Sequence, residues 1–475
     1  MGKSSRRRKQ QQQQQQQEAQ QQQRVLTCLK GEEWCFAVGE VGHVAPDQPP
    51  PWQERKEPEH PARTQTSINK SLYVEIPPLS SLSDTAPLEF YIAGNGGDYL
   101  DLNNTLLRLA CKITKADNTD LDVNSPVSII NYPIATILTS RRFLIGKRLI
   151  SQSSSTYPYR SLIEVLLNYG KETLESQFSA GMYFKDTAGN MDVGDPAGAN
   201  EGLRQRCVYT RRSHIFELLG PLHSDIFFQE KLMLNGIDVK IKMIRASDRF
   251  CLMAGDANQY KLHLLEASLY VKKVKVSPDV KIGHAQALMT SNAKYPIERV
   301  AVKVYSIPRG LRVSNQENMF LGQLPKFVVI GLTDNDAFSG DYVKNPFNFK
   351  HFDANFIALY VDGEQIPSKP FQPNYANTHN SVREYYSLIQ ATGRHLKDKP
   401  LIIDRSDYSR GYTLYAFDLT PDQEAGDHFS LVKTGNMRLE MRFSVPLPDT
   451  VNLIIYAVFE NVIEVSQQRA VLFDY

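Results

Sequence analysis

The side chains with the clearest chemical capacity are ten histidines, five cysteines and the carboxylates between Asp334 and Asp341. None has the spacing its chemistry would need. The histidines form no His-x-His or His-x-x-x-His pair and no Cys/His ligand set, so no zinc or cupin-type metal site is signalled. His263, close to Glu266, reads as a strand-face histidine. Asp334, Asp336 and Asp341 do not follow an EF-hand pattern and read as turn-forming carboxylates. Gly94-Asn95-Gly96-Gly97-Asp98 reads as a turn, since no Lys-Ser/Thr follows it. Gly2-Lys3-Ser4 lacks the upstream glycine, strand and helix of a phosphate loop. No Gly-x-Ser-x-Gly elbow occurs. The expectation is a non-enzyme with no catalytic residue, no cofactor or cofactor-binding residue, and no metal ligand.

Length and composition bound the class. A chain of 475 residues exceeds the usual size of one hydrophobic core, so two domains are expected. Hydrophobic content of 41% and charged content of 22% are ordinary for a soluble globular protein. No apolar run has the length of a membrane span, and residues 1–30 lack the apolar core of a signal peptide. Cys28, Cys35, Cys111, Cys207 and Cys251 are scattered and odd in number, with no Cys-x-x-Cys. That favours free thiols in the cytoplasm or nucleus over a secreted disulfide frame. Asn69-Lys70-Ser71 and Asn103-Asn104-Thr105 fit the glycosylation pattern, which matters only in a secreted protein. Residues 1–63 carry ten Lys/Arg and eight Asp/Glu, leaving 44 of each sign in the remainder. A body without basic excess is not expected to grip nucleic acid specifically, because such affinity comes largely from phosphate neutralisation.

The elements that would position these residues are almost all strands. Residues 1–63 stand apart: Arg6-Arg7-Arg8-Lys9, two glutamine runs and a Pro/Glu-rich stretch predict a disordered arm. The basic cluster fits either a solvated charge run or a nuclear-localisation signal. Short apolar runs at 73–78, 88–93 and 106–113 are parted by turn residues. A hairpin turn falls at Gly146-Lys147. Tyr159, Leu162, Ile163, Leu166 and Leu167 mark a helix stopped by Gly170, with a short helix to follow from Lys171. Strands are expected at 214–219, 225–234 and 263–276, with Asn235-Gly236 as a hairpin turn before the alternating Ile237, Val239, Ile241 and Met243.

Residues 278–294 read as a connector, after which the pattern restarts. Val300, Val302 and Val304 alternate with polar residues. Val382, Tyr385, Tyr386 and Ile389 form a second helical stripe ended by Gly393. Strands follow at 413–419, 437–443 and 453–459. The hairpin at Gly146 recurs at Gly363, the helix at Tyr159 recurs at Val382, and the strand at Ile237 recurs at Met437. The fold class is therefore all-β. It comprises two tandem jelly-roll β-sandwiches (a double jelly roll), each with a short inserted helix, plus the disordered arm. The divisions are 1–63 arm, 64–277 first jelly roll, 278–294 connector and 295–475 second jelly roll.

One stretch is unusually rich in rings. Between the strand candidates 327–332 and 356–361 run Asp334-Asn335-Asp336, Ser339-Gly340-Asp341 and Asn345-Pro346, with Phe338, Tyr342, Phe347, Phe349 and Phe352. Five rings predict a loop packed onto something rather than one in water. The resemblance to a known family is carried by Asn315-Gln316-Glu317-Asn318, Phe320-Leu321-Gly322-Gln323-Leu324-Pro325, Asp334-Asn335-Asp336-Ala337-Phe338, Asn345-Pro346-Phe347-Asn348-Phe349-Lys350-His351 and Tyr360-Val361-Asp362-Gly363. In these the chain closely resembles the major capsid proteins of Polinton (Maverick) virus-like elements, of the adenovirus-hexon type. The likeness runs from Thr64-Gln65-Thr66-Ser67-Ile68 to Tyr475.

It implies a structural protein that self-associates into homotrimeric, pseudo-hexagonal capsomers and larger shells. A penton-like minor capsid protein would be its companion. The product would be intracellular, or in a virion if particles form. Two other readings compete: a host-retained copy serving as a scaffold or binding protein, and a β-sandwich lectin or glycoside-active protein. The last would want paired carboxylates or an aromatic platform that is not distinguishable here.

Overall fold

The computed structural model describes residues 65–83, 86–94, 96–153, 155–376, 380–423 and 429–473. The glutamine-rich arm of residues 1–63 lies outside them. Eight strands of the first half form two antiparallel sheets: β1 (Ile68–Ile76), β2 (Leu88–Ile92), β3 (Tyr99–Lys115), β4 (Leu138–Ile145), β5 (Arg148–Ser153), β6 (Phe216–Pro221), β7 (Val239–Arg245) and β8 (Tyr260–Val276). Eight more follow: β9 (Ala293–Ile307), β10 (Val313–Gln316), β11 (Phe327–Asp334), β12 (Ala354–Val361), β13 (Glu364–Phe371), β14 (Leu414–Asp418), β15 (Thr434–Phe443) and β16 (Val451–Val465).

The sheet orders are β1-β8-β3-β6 and β2-β7-β4-β5 in the first half, and β9-β16-β11-β14 and β10-β15-β12-β13 in the second. The second half repeats the first with every strand number raised by eight. This is the eight-stranded jelly roll, twice. Short strands Leu321–Gln323 and Val471–Phe473 extend the second half at β15 and β16.

Period-two patterning explains the sandwiches. On β15, Met437, Leu439, Met441 and Phe443 are buried. They meet Ile357 and Leu359 of β12 and Leu453 and Ile455 of β16 in the second core. On β7, Val239, Ile241 and Met243 do the same in the first. β16 departs from alternation because both its faces are covered. Leu453, Ile455, Ala457 and Phe459 face the second core, while Ile454, Tyr456 and Val458 join the cluster of the first half. A strand buried on two sides needs a continuous apolar run.

Helix α1 (Tyr157–Asn168) lies between β5 and β6, and α4 (Val382–Ala391) between β13 and β14. Every residue of α1 from Tyr157 to Leu167 is buried, as expected of a helix enclosed on all sides. Gly393 ends α4 in the left-handed region (φ +65°). Gly170 does not do so for α1: its φ is −77°, and it starts the short helix Lys171–Ser176.

Three further expectations are corrected. Residues 225–234 are not a strand. Asp225–Phe228 is a 3₁₀ turn, so Asn235-Gly236, though a turn, closes no hairpin, and β7 pairs with β2 and β4. The apolar residues there, Ile226, Phe227 and Leu234, are buried in the cluster that both halves share, with the Phe227 ring against Phe143 of β4. Residues 278–294 are more than a connector. They form α3 (Pro278–Thr290), whose Ser277 cap accepts from the Val280 amide, and then the start of β9. A further helix, α2 (Glu201–Thr210), is capped by Asn200.

Candidate functional site: the seam between the sandwiches

The densest chemistry lies where the two sandwiches meet. Its apolar floor is the outward face of β9-β16-β11-β14. Val329, Leu414, Ala416, Ile454, Tyr456 and Val458 pack there into one cluster with the first sandwich. At about 25 cal/mol per Å² of apolar surface, so many fully buried side chains make separation of the halves unfavourable.

The ring-rich loop of residues 334–352 is the clamp. Tyr159 of α1 stacks on Phe338 (ring centroids 5.3 Å apart) and meets Phe347 edge-on (5.6 Å). Phe250 meets Phe347 at 6.1 Å, and Tyr342 meets Tyr260 at 6.4 Å. Such edge-on pairs favour the ring quadrupoles. Gly331 makes room for this packing, because a Cβ there would lie 2.7 Å from the Phe349 ring. The loop is thus packed, as its rings required: Phe338, Tyr342, Phe347 and Phe349 meet the other sandwich, and Phe352 lies against the second core.

Polar groups of the same loop reach two first-half carboxylates. Asn345 donates its backbone amide to Asp192 Oδ1 (2.9 Å), and its Nδ2 to Asp186 Oδ2 (3.0 Å) and the Met191 carbonyl (3.3 Å). Asn345 Oδ1 in turn accepts from the Phe347 amide. Asp192 Oδ2 also accepts from Asn348 Nδ2 (2.8 Å) and pairs with Lys350 (2.9 Å). Burial opposes the Lys350 charge, but Asp334 and Asp192 outweigh it and hold its pKa above the ordinary value. Asp186 is buried against Arg206 (2.6 Å), whose other nitrogens donate to the Ile129 and Phe184 carbonyls. The Tyr412 hydroxyl closes the link by donating to the Asp186 carbonyl (2.7 Å).

A second buried network runs from α1 to β9. Arg160 pairs with Glu164 (2.7 Å) and Asp225 (2.6 Å), and Asp225 Oδ1 also accepts from the Val300 amide (3.1 Å). Burial works against the Arg160 charge, yet Asp225 and Glu164 overcome it and raise its pKa. Burial likewise disfavours the Glu164 carboxylate, but Arg160 and His223 hold it below the usual range. Burial pushes His223 down despite its Glu164 hydrogen bond, so the ring is neutral near pH 7. Its Nδ1–H then donates to Glu164 (2.9 Å), leaving Nε2 to accept from the Tyr132 hydroxyl (2.9 Å). Arg141 lies nearby with its guanidinium over the Tyr157 ring at 4.7 Å. Two cations and two carboxylates thus balance inside the protein. Removing one member would leave a buried charge uncompensated.

The residues first considered for chemistry lie elsewhere or are already engaged. Asp334 pairs with Lys350, Asp336 with Lys344, and Asp341 accepts from the Val343 amide. His263 bonds the Thr114 hydroxyl, and Glu266 pairs with Arg108 across the outer face of the β3–β8 pair. The Gly94 amide donates to Asp238. Cys111 and Cys251 are buried free thiols and Cys207 is half-buried; burial pushes Cys111 up to about 12. Among the described residues no group of three His, Cys, Asp or Glu could hold a metal ion, and no helix is long and apolar enough to cross a membrane. The seam cross-links the two sandwiches. Asp186 and Asp192 carried no readable signal, since Asn345 and Asn348, which they bind across the seam, are about 150 residues away in sequence.

No protein-family model matches the chain. The uncharacterized protein F54H12.2 of Caenorhabditis elegans is 24% identical over 425 residues, spanning 86% of this chain and 99% of that protein. Among solved structures, a chain of the Sputnik virophage matches with a TM-score of 0.64 at 13% identity, over 91% of this chain and 93% of that one. The PBCV-1 virus capsid gives 0.56 at 13% identity, over 88% and 99%. The mavirus major capsid protein gives 0.52 at 11% identity, over 92% and 96%. At such identities the likeness is one of fold. The chain is a double jelly roll, built on the plan of viral major capsid proteins.

Proposed function

We propose that this chain is a structural, non-enzymatic major capsid protein of a virus-like element of the Polinton/Maverick lineage. Three copies would associate into a pseudo-hexagonal capsomer that tiles a shell, with a penton-like protein at its vertices. The observation that carries this reading is the repeated strand order, locked by the buried seam. Two copies of one sandwich held rigidly in a single chain let three chains present six similar faces. Closed cyclic symmetry then limits growth within the ring. The two jelly rolls are assigned to residues 64–277 and 295–475. The product would reside inside the cell or in a particle, with no specific nucleic-acid grip.

Negative-stain imaging of the full chain expressed in cells is the test. Hexagonal rings or shells support the proposal. Single-chain particles at every concentration would overturn it in favour of a host-retained scaffold protein.

A further inference from the structure

The repeat makes one part of the molecule a template for another. Within the chain, the β6–β7 connection (residues 222–238) lies on β9, the edge strand of its sheet, which is bonded only to β16. Asp225 accepts from the Val300 amide, and the Tyr295 hydroxyl donates to the Leu232 carbonyl (3.1 Å) while accepting from the Leu234 amide (3.1 Å). The Gln229 side chain donates to the Pro296 carbonyl. A free sheet edge is thereby covered, as stable proteins require.

The reciprocal pair in the repeat is the β14–β15 connection and β1. Both are open. β1 is also an edge strand, bonded only to β8, and residues 69–73 are exposed in a row, with Leu72 at 40% and Tyr73 at 52%. In the β14–β15 connection, the Ser430 amide donates to Glu460 (2.8 Å) and the Lys433 carbonyl accepts from the Leu324 amide (2.8 Å), so the backbone is anchored. Even so, Phe429, Leu431 and Val432 are 43%, 89% and 66% exposed. Apolar side chains gathered on an anchored segment mark an interaction surface rather than a loose loop.

We infer that residues 429–433 of one copy dock on β1 of a second copy, as residues 222–238 dock on β9 within the chain. The inference rests on the self-assembly proposed above and adds which surfaces meet. The contact is head-to-tail. Each copy offers one surface and receives on another, so a growing set has no free surface only when it closes into a ring. The seam within the chain and the contact between chains then become alternating versions of one joint.

The test uses the full chain with Leu431→Glu and Val432→Glu together, and separately Leu72→Lys and Tyr73→Lys together. All four side chains are exposed, so far-ultraviolet circular dichroism should show the wild-type fold in each variant. Each pair should reduce the solution mass from that of the oligomer to that of one chain, and the four changes combined should restore the oligomer through opposite charges. As a second probe, Tyr73→Cys with Leu431→Cys should give a covalent ladder of two and three chains on oxidation, absent from either single variant. Oligomers of unchanged size in both charge variants, or no ladder, would overturn the inference while leaving self-assembly intact. A wild-type chain that is always single would overturn both.

Discussion

Replacing Asn345 with aspartate should damage this protein more than replacing it with alanine, although aspartate is nearer in shape. The Asn345 side chain is buried, with Nδ2 donating to Asp186 and the Met191 carbonyl, and Oδ1 accepting from the Phe347 amide. Alanine leaves the Met191 carbonyl without this donor and the Phe347 amide without this acceptor, while Asp186 keeps Arg206. Unsatisfied buried groups cost about 1–3 kcal/mol each, so for these two a loss of about 2–6 kcal/mol is expected. Aspartate instead places a second carboxylate about 3 Å from Asp186. At an effective dielectric constant of about 20 the repulsion is roughly 5 kcal/mol, added to the lost donor.

The introduced carboxyl would have its folded pKa raised above the unfolded value. Its penalty is therefore full at neutral pH and fades as pH falls through the raised value towards the unfolded one. Urea unfolding followed by far-ultraviolet circular dichroism is the suitable assay, because both tryptophans, Trp34 and Trp52, lie outside the described residues. If the aspartate variant proved as stable as the alanine variant at pH 7, the Asp186–Asn345 link would not be the seam's lock.

Other outcomes follow from the same seam. Phe349→Ala should cost about 3–5 kcal/mol, and Gly331→Ala should also destabilise by forcing the Phe349 ring aside. Combined in one protein, the two losses should fall short of their sum, since the second no longer meets a ring; strict additivity in urea midpoints would contradict the packing. The pH profile carries a sign. Burial depresses His223 and also His284, beside Arg469, so the unfolded chain binds these protons first. Stability should hold above about pH 6.5 and decline as pH falls below it. Replacing both histidines with glutamine should flatten that decline, and an unchanged slope would reject the assignment.

Much of the fold was legible because sandwich strands advertise themselves by alternation: Met437 to Phe443 and Ile237 to Met243 show which face is wet. The helix at Tyr159 was equally plain. What escaped followed from contacts distant in sequence. Residues 225–234 carry strand-like apolarity, yet Asp225–Phe228 is a 3₁₀ turn whose Asp225 accepts from the Val300 amide and whose Phe227 ring meets Phe143, both distant in sequence. Helix α2 hid because its buried stripe contains Arg206, which looks solvent-facing until Asp186 is placed beside it. Helix α3 buries only His284 and Leu288, so it shows no apolar stripe, though Ser277-Pro278 signalled its start. The five rings after Asp334 announced a packed loop but not its partner. Only the fold brings Asn345 to Asp186 and Asp192.

The most direct test of the capsid role is the solution mass of the full chain by light scattering across a range of concentrations. The account predicts a species of about three times the 53.9 kDa chain, or larger closed assemblies built from it. A mass of one chain at every concentration would contradict it.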